Sequence, residues 1–290
     1  MSSAAFMLIL FSALMHALWN LLVKRSHDKT VFIWWMFLLS GGLFNLLLLV
    51  LPGAFPQPTV TLLLLAAAGG TCFVLYHLFT GRAYCNGDLS LTYPLAQTAI
   101  LYVPVWGIWL LGETLSSPGI AGILLILTGA YCIQLRRLTS DEILRPFRNL
   151  TDPSVQAALA AGFLYSIGAV IDKTGISSYS PLYFTYLLVM AMLLIMSLNL
   201  LRPRYRGRIL QEWRQNRTLV ILSGPVMLGS FLSFRYALQM APMSYAVPAR
   251  QVSLLIGVLI GILFLGEACG RIRVLATSLI LAGVLLVRIG

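Results

Sequence analysis

AYCNGDLSLTYPLAQTAILYVPVWGIWLLGETLSSPGIAGILLILTGAYCIQ (residues 83–134) and ALQMAPMSYAVPARQVSLLIGVLIGILFLGEACGRIRVLATSLILAGVLLVR (residues 237–288) are one stretch of chain written twice. Shifted by 154 they align without a gap and match at fourteen of fifty-two positions. In a Leu-rich chain, chance supplies Leu–Leu and Ile–Ile pairs. It does not readily supply Ser90/Ser244, Pro94/Pro248, Gln97/Gln251, Gly107/Gly261, Gly112/Gly266, Glu113/Glu267 and Gly129/Gly283 at one offset. Those residues have special backbone or polar behaviour. In a membrane chain, such a duplication marks a pseudo-two-fold scaffold whose site lies where the halves meet.

Composition supplies the membrane. Hydrophobic residues make up 59% of the chain and charged residues 10%, which excludes an ordinary soluble domain. A span needs roughly 20 apolar residues, and ten stretches qualify: 3–23, 31–51, 60–83, 89–111, 117–135, 154–172, 181–201, 218–240, 243–265 and 271–289. The first has no basic residue ahead of it and no cleavage site behind it, so it reads as a retained helix. Helix breakers fall between spans: Pro52, Pro56 and Pro58, then Pro203. Ser116, Ser117 and Pro118 read as the cap and first turn of the fifth span. No connection is long enough to fold as a catalytic or binding domain, so the chemistry lies within or between helices.

The formal charge of +11 does not signify nucleic acid. Fifteen Lys and Arg, from Lys24 to Arg273, fall beside spans on one side of the membrane, against Lys173 and Arg288 on the other. The rule that cytoplasmic loops are positive makes the first side cytoplasmic and turns both termini outward. Cys72, Cys85, Cys132 and Cys269 show neither metal spacing nor a disulfide framework, and His16, His27 and His77 are too scattered for a metal site. No metal and no cofactor are expected.

The fold expected is an all-α membrane protein of ten transmembrane helices. Residues 1–138 form one five-helix repeat, 139–153 a connecting loop and 154–290 the second repeat. Five is odd, so the second repeat enters from the opposite side and the halves are inverted. The match extends weakly to the first helices, where His16, Trp19 and Lys24 pair with Tyr165, Gly168 and Lys173 at an offset of 149. In its paired Ser-x-x-x-Pro-x-x-Gln and Leu-Gly-Glu segments, and in Trp19-Asn20 and Lys24, the chain resembles the ten-span EamA-type branch of the drug/metabolite transporter superfamily. That resemblance implies a secondary transporter of small metabolites with two bundled halves, and it implies no particular substrate. The outward termini depart from the orientation usual in that branch.

A charge at the bilayer centre costs roughly 2.5–3.5 kcal/mol on insertion scales. Arg250 lies about 9 Å inside the ninth span at 1.5 Å per residue, and Arg235 sits at similar depth near the end of the eighth. No acid is legible at matching depth, since Glu267 is about 25 Å from Arg250 along its helix. Two guanidiniums together call for an anion, a carboxylate or water between them, and a planar donor fork suits carboxylate, phosphate or phosphonate. The alternatives are snorkelling and capping of helix carbonyls. Arg250 aligns with Ala96, so packing common to both halves does not account for it. Gln97 and Gln251 either hydrogen-bond a polar ligand or make interhelical bonds that pack membrane helices without one. Pro94 and Pro248 loosen the opening turns of their spans. Trp19, Asn20 and Tyr165 join the candidates because the resemblance places first helices along the cavity. Arg82 and His16 are gating or coupling candidates, His16 because imidazole titrates near neutral pH. Glu113 and Glu267 read as carboxylates favouring the N-terminus of the next span, and Asp172-Lys173 as a local pair.

These features favour a secondary transporter moving a small anionic or zwitterionic metabolite by alternating access. With no G-x-x-x-x-G-K-[ST] loop, exchange or the proton gradient supplies energy. The alternative is a flippase for a lipid or lipid-linked phosphate, in which the arginines hold the headgroup. An intramembrane enzyme is disfavoured, as no paired acids or nucleophile–base pair stand mid-span. The partners implied are a small-molecule substrate, the lipid bilayer and a second copy of the chain, and not nucleic acid. Short loops fit a bacterial inner membrane.

Overall fold

The structure, a computed structural model, describes residues 1–86, 92, 95–133, 135, 137–205, 207–265 and 270–290, without the side chains of 84–86, 146 and 261–265. Ser90, Pro94, Gly266 and Glu267 lie outside the described residues. The helices in chain order are α1 (Ser3–Arg25), α2 (Lys29–Val50), α3 (Val60–Asn86), α4 (Ala99–Leu111), α5 (Ser117–Cys132), α6 (Ser140–Arg148), α7 (Pro153–Ser178), α8 (Pro181–Leu200), α9 (Arg208–Met240), α10 (Met243–Ala249), α11 (Val252–Leu265) and α12 (Arg271–Ile289). Among the described residues there is no strand. Among the described residues eight stretches are long and apolar enough to cross a bilayer, α10 and α11 counting together, while α4 and α5 are shorter apolar helices of 13 and 16 residues.

Short polar residues start these helices. Ser2 accepts from Ala5 N, Asp28 from Thr30 N and Val31 N, Ser116 from Gly119 N, and Asp152 from Ser154 N. Each satisfies a first-turn donor that has no partner inside its own helix. Proline follows the cap in α5 and α7, where its missing N–H costs nothing. Gly112 ends α4 at φ 66°, a left-handed turn that disfavours any residue with a Cβ.

The helices pair as the repeat requires. α5 lies on its mate α12 and α2 on its mate α8, while α1 packs on α9 as α7 packs on α3. The α5–α12 crossing identifies the symmetry. A Cβ on Gly122 would stand 2.6 Å from Gly283 O, and one on Gly129 would stand 2.6 Å from Ala276 O. At the 154 offset Gly129 is the mate of Gly283, and Gly122 of Ala276, so the two contacts are images of one another. The helices run antiparallel there, because the lower number of one contact meets the higher of the other. A rotation exchanging two antiparallel helices at their contact runs perpendicular to both. The pseudo-axis therefore lies in the membrane plane, and the repeats are inverted.

Three features differ from the sequence reading. The ninth span is two helices, α10 and α11, broken at Arg250–Gln251, and the fourth resumes as α4 only after a turn at Gln97–Thr98. The connection between repeats carries a helix, α6, whose Ile143, Leu144 and Phe147 are exposed and whose Arg148 pairs with Asp141 at 2.9 Å. α9 begins at Arg208, ten residues before the span proposed for it, and departs from helical geometry at Asn216. Glu212, fully buried there, accepts from His27 N, Asp28 N and Asn216 Nδ2. Its carboxylate satisfies donors at the start of α2, which explains a charged extension docked against an apolar bundle.

Candidate functional site

The two helix breaks fall at repeat mates, and they meet. Gln251 Nε2 donates to Gln97 Oε1 at 3.0 Å. Pro248, buried in α10, lacks the N–H that would have bonded the preceding turn. Arg250 N then bonds Ala246 O, while Gln251 N reaches Pro248 O in a tighter turn. The glutamines offered as ligand donors therefore spend this hydrogen bond on each other, joining the halves at the pseudo-axis.

Beside this crossing is a cavity of about 30 Å³, lined by His16 and Trp19 of α1, Phe73, Tyr76 and His77 of α3, Tyr165, Ala169 and Asp172 of α7, Phe231, Phe234 and Arg235 of α9, and Arg250. Its walls follow the repeat in part. His16 and Tyr165 are mates at 149, and His77 and Phe231 at 154. Its charges do not. Arg250 stands opposite Ala96, Arg235 opposite Gly81 and Asp172 opposite Val23. The scaffold is two-fold while its charge belongs to the second half.

Two of these charges cancel. Arg235 Nη2 lies 2.8 Å from Asp172 Oδ2 and 3.1 Å from Oδ1, with the side chains 3% and 4% exposed. Its guanidinium also lies 4.9 Å from the Phe231 ring centroid. Asp172 is thus the acid that the sequence did not reveal. It pairs across helices and not with Lys173, whose Nζ donates to Leu238 O at 2.6 Å and Ala241 O at 2.9 Å at the end of α9. Arg235, offered as a ligand anchor, is a committed ion-pair partner, because a carboxylate this close holds it.

Arg250 has no such partner. Its guanidinium lies 4.4 Å from the Phe234 ring centroid, and its Nη2 donates to His16 Nδ1 at 3.0 Å and to Ser230 Oγ at 3.3 Å. Its buried Nε has no hydrogen-bond partner. Both Nη2 partners are neutral acceptors, so among the described residues the cavity carries one cation without a paired anion. His16 Nδ1 also accepts from Trp19 Nε1 at 2.8 Å. Arginine offers no acceptor, so Nδ1 is bare and the imidazole proton sits on Nε2.

Glu113 closes one end of the bundle. Its carboxylate accepts from Met243 N at 2.6 Å, Ser244 N at 2.9 Å and Ser244 Oγ at 2.6 Å. The expected chemistry is present on a different helix: Glu113 caps α10 in the other half, not α5. Gly107 makes room, since a Cβ there would collide with Ser244 Oγ and Glu113. At the same end, Tyr245 Oη accepts from Ser116 N at 2.8 Å and Thr59 Oγ1 meets Tyr179 Oη at 2.9 Å. The matched Ser244, Gly107, Gly112 and Glu113 thus form one cross-half latch.

Of the residues selected from sequence, the cavity gathers Arg250, Arg235, His16, Trp19 and Tyr165. Asn20 is exposed and outside it, and Arg82 is exposed with its guanidinium 5.4 Å from the Phe79 ring centroid. Sequence reasoning missed Phe73, Tyr76, His77, Phe231 and Phe234, and it missed Arg235 as the partner of Asp172. A signal was present: 73/76/77 and 231/234/235 are i, i+3, i+4 stripes on repeat-mate helices, and Asp172 departs from its mate Val23.

The comparisons with known proteins agree with the duplication. The model of the EamA-like transporter family matches residues 3–135 and again 153–289. A solved crystal structure, described only as that of a protein, superposes with a TM-score of 0.77 at 16% identity, covering 99% of this chain and 96% of that one. At that identity the likeness concerns the fold. Among curated proteins none matches.

Proposed function

Since the chain belongs to the EamA-like transporter family, a group of multi-pass membrane transporters, we propose that it carries a small organic monoanion by alternating access, with Arg250 as the anchor. The observation that supports this is the unpaired guanidinium of Arg250 in a cavity whose other two charges cancel. One residual positive charge favours a monoanion over a cation. It also favours a monoanion over a zwitterion, whose ammonium would face a carboxylate already neutralised by Arg235. Phe73, Tyr76, Tyr165, Phe231 and Phe234 give the walls aromatic faces suited to an apolar or flat body, with polar groups fixing only one end. A cavity of about 30 Å³ is far below the roughly 300–1,000 Å³ of ordinary ligand pockets, so loading requires the halves to part. In the inverted repeat, two conformations of near-equal energy expose the same site to opposite faces. We take the face with the basic connections as cytoplasmic, which turns the Glu113 latch and both termini outward, in a bacterial inner membrane.

Thermal melting of the purified protein against carboxylates, phosphates, phosphonates, amino acids and organic cations tests the proposal, with Arg250→Ala in parallel. A ligand at 100 times its dissociation constant adds about 2.7 kcal/mol to the folded state. Stabilisation by monoanions that vanishes in a folded Arg250→Ala protein is the expected result. Stabilisation by cations, or equal stabilisation of the variant, overturns it. Binding of lipid-linked phosphates to the exclusion of soluble anions points to a flippase instead.

A further inference from the structure

His16 and Arg250 are set up for more than an anion. At His16 Nδ1, two N–H donors meet one nitrogen lone pair, Trp19 Nε1 at 2.8 Å and Arg250 Nη2 at 3.0 Å. An sp² nitrogen has one such lone pair, so the donors share an acceptor that satisfies one of them fully. Arg250 Nε beside them has no acceptor. The pocket is thus rich in donors and short of acceptors, and an arriving carboxylate with about four lone-pair sites corrects the shortage.

We propose that His16 is a proton site linked to the anion site, so that each anion bound at Arg250 is accompanied by one proton taken up at His16 Nδ1. This rests on the anion reading above and adds the coupling ion to it. With the anion present, Trp19 Nε1–H and Arg250 Nη2–H transfer their hydrogen bonds to its oxygens and release Nδ1. A proton from solution then occupies Nδ1, which becomes a third donor to the same oxygens. The charges balance, since an anion and a proton enter together and the cavity keeps its single positive charge. Without the anion, imidazolium would stand directly against guanidinium, and like charges in that position repel. Proton and anion therefore each raise the other's affinity by one common factor.

The groups around His16 are consistent with this assignment. Arg250 is the cation in hydrogen-bond contact with it. From α9 comes Arg235, and from α7 come Tyr165 and Asp172, the last already paired with Arg235. From α3 come Tyr76 and His77. His77 is the other imidazole in the cavity, and its ring neighbours are Trp19, Phe37 and Tyr76. It has no ring contact with Arg250.

The test is titration calorimetry of the whole purified protein with benzoate and with acetate, from about pH 8 down to about pH 5.5, the window in which an unperturbed histidine changes charge. Running it in two buffers of different ionisation enthalpy counts the protons absorbed. Affinity should rise as pH falls, approaching tenfold per unit where one proton is taken up per anion. His16→Gln, with His16→Asn as a second variant should the first misfold, should bind the anion with a flat pH profile and no proton uptake. His27→Gln, at an exposed imidazole outside the cavity, should keep the slope. PH-independent binding by the wild-type protein sinks the proton linkage and leaves the anion site standing. A slope surviving in the His16 variants also sinks it. Absence of benzoate and acetate binding at every pH removes the anion site and the linkage together.

Discussion

Asp172→Asn separates what the buried ion pair does for the fold from what it does for the cavity. The pair is 2.8 Å long with both side chains almost wholly buried, and removing one partner of such a pair costs about 3–5 kcal/mol because the other is left uncompensated. At about 2–4 °C per kcal/mol for a chain of this order of size, melting should fall by roughly 6–20 °C. Asp172→Leu with Arg235→Met, which removes both charges at similar volume, should recover most of that loss. The second consequence concerns ligands. With Asp172 neutral, Arg235 becomes a second unpaired cation in the cavity and the net charge rises from one to two. An additional ligand charge about 5 Å from it gains roughly 3 kcal/mol at an effective dielectric of 20, or about two orders of magnitude in affinity. Calorimetry at about pH 8, just above the histidine window, should show phenylphosphonate, a dianion, gaining on benzoate by roughly 10–100-fold in Asp172→Asn. An unchanged affinity ratio in a folded variant would falsify the charge count on which the monoanion preference depends. An unchanged melting temperature would mean that the pair contributes nothing to the fold.

The latch and the orientation are open to equally direct measurements. Glu113→Gln replaces charge-assisted hydrogen bonds to Met243 N and Ser244 with weaker ones and directs an amide N–H at a backbone donor, at a cost of about 2 kcal/mol. In a background without the four native cysteines, Ala169→Cys inside the cavity should then react faster with an impermeant maleimide added from the Glu113 face; equal rates with and without Glu113 would show that the latch does not gate that face. A C-terminal reporter that fluoresces only in the cytoplasm should stay dark, and a bright one reverses the sidedness.

The fold was legible because its symmetry is written in residues that resist substitution. Each matched residue described above has a mechanical reason for its identity: Gly129 and Gly283 where backbones touch, Gln97 and Gln251 where the broken helices cross, and Ser244, Gly107, Gly112 and Glu113 at the latch. What stayed hidden depended on partners far apart in the chain. Asp172 beside Lys173 looks local until α9 brings Arg235, 63 residues away, within 2.8 Å. Glu113 has the right chemistry for a helix N-terminus, but the nearest helix in sequence is not the one it reaches, which starts 130 residues on. The aromatic wall escaped notice because such stripes usually pack against neighbouring helices, and nothing in periodicity separates a wall from a core.

The hydrogen bond from Gln251 to Gln97 cannot be its own image. A two-fold rotation exchanges the residues, yet one amide gives its hydrogen and the other receives it. A symmetric frame thus holds an unsymmetric bond, and a half-turn of both amides yields its reflection, with Gln97 giving and Gln251 receiving. Both versions keep one hydrogen bond between the same two amides. Where the two broken helices cross, the halves are joined by a contact indifferent to which half is which. That is the mechanical property of a hinge pin rather than of a bolt.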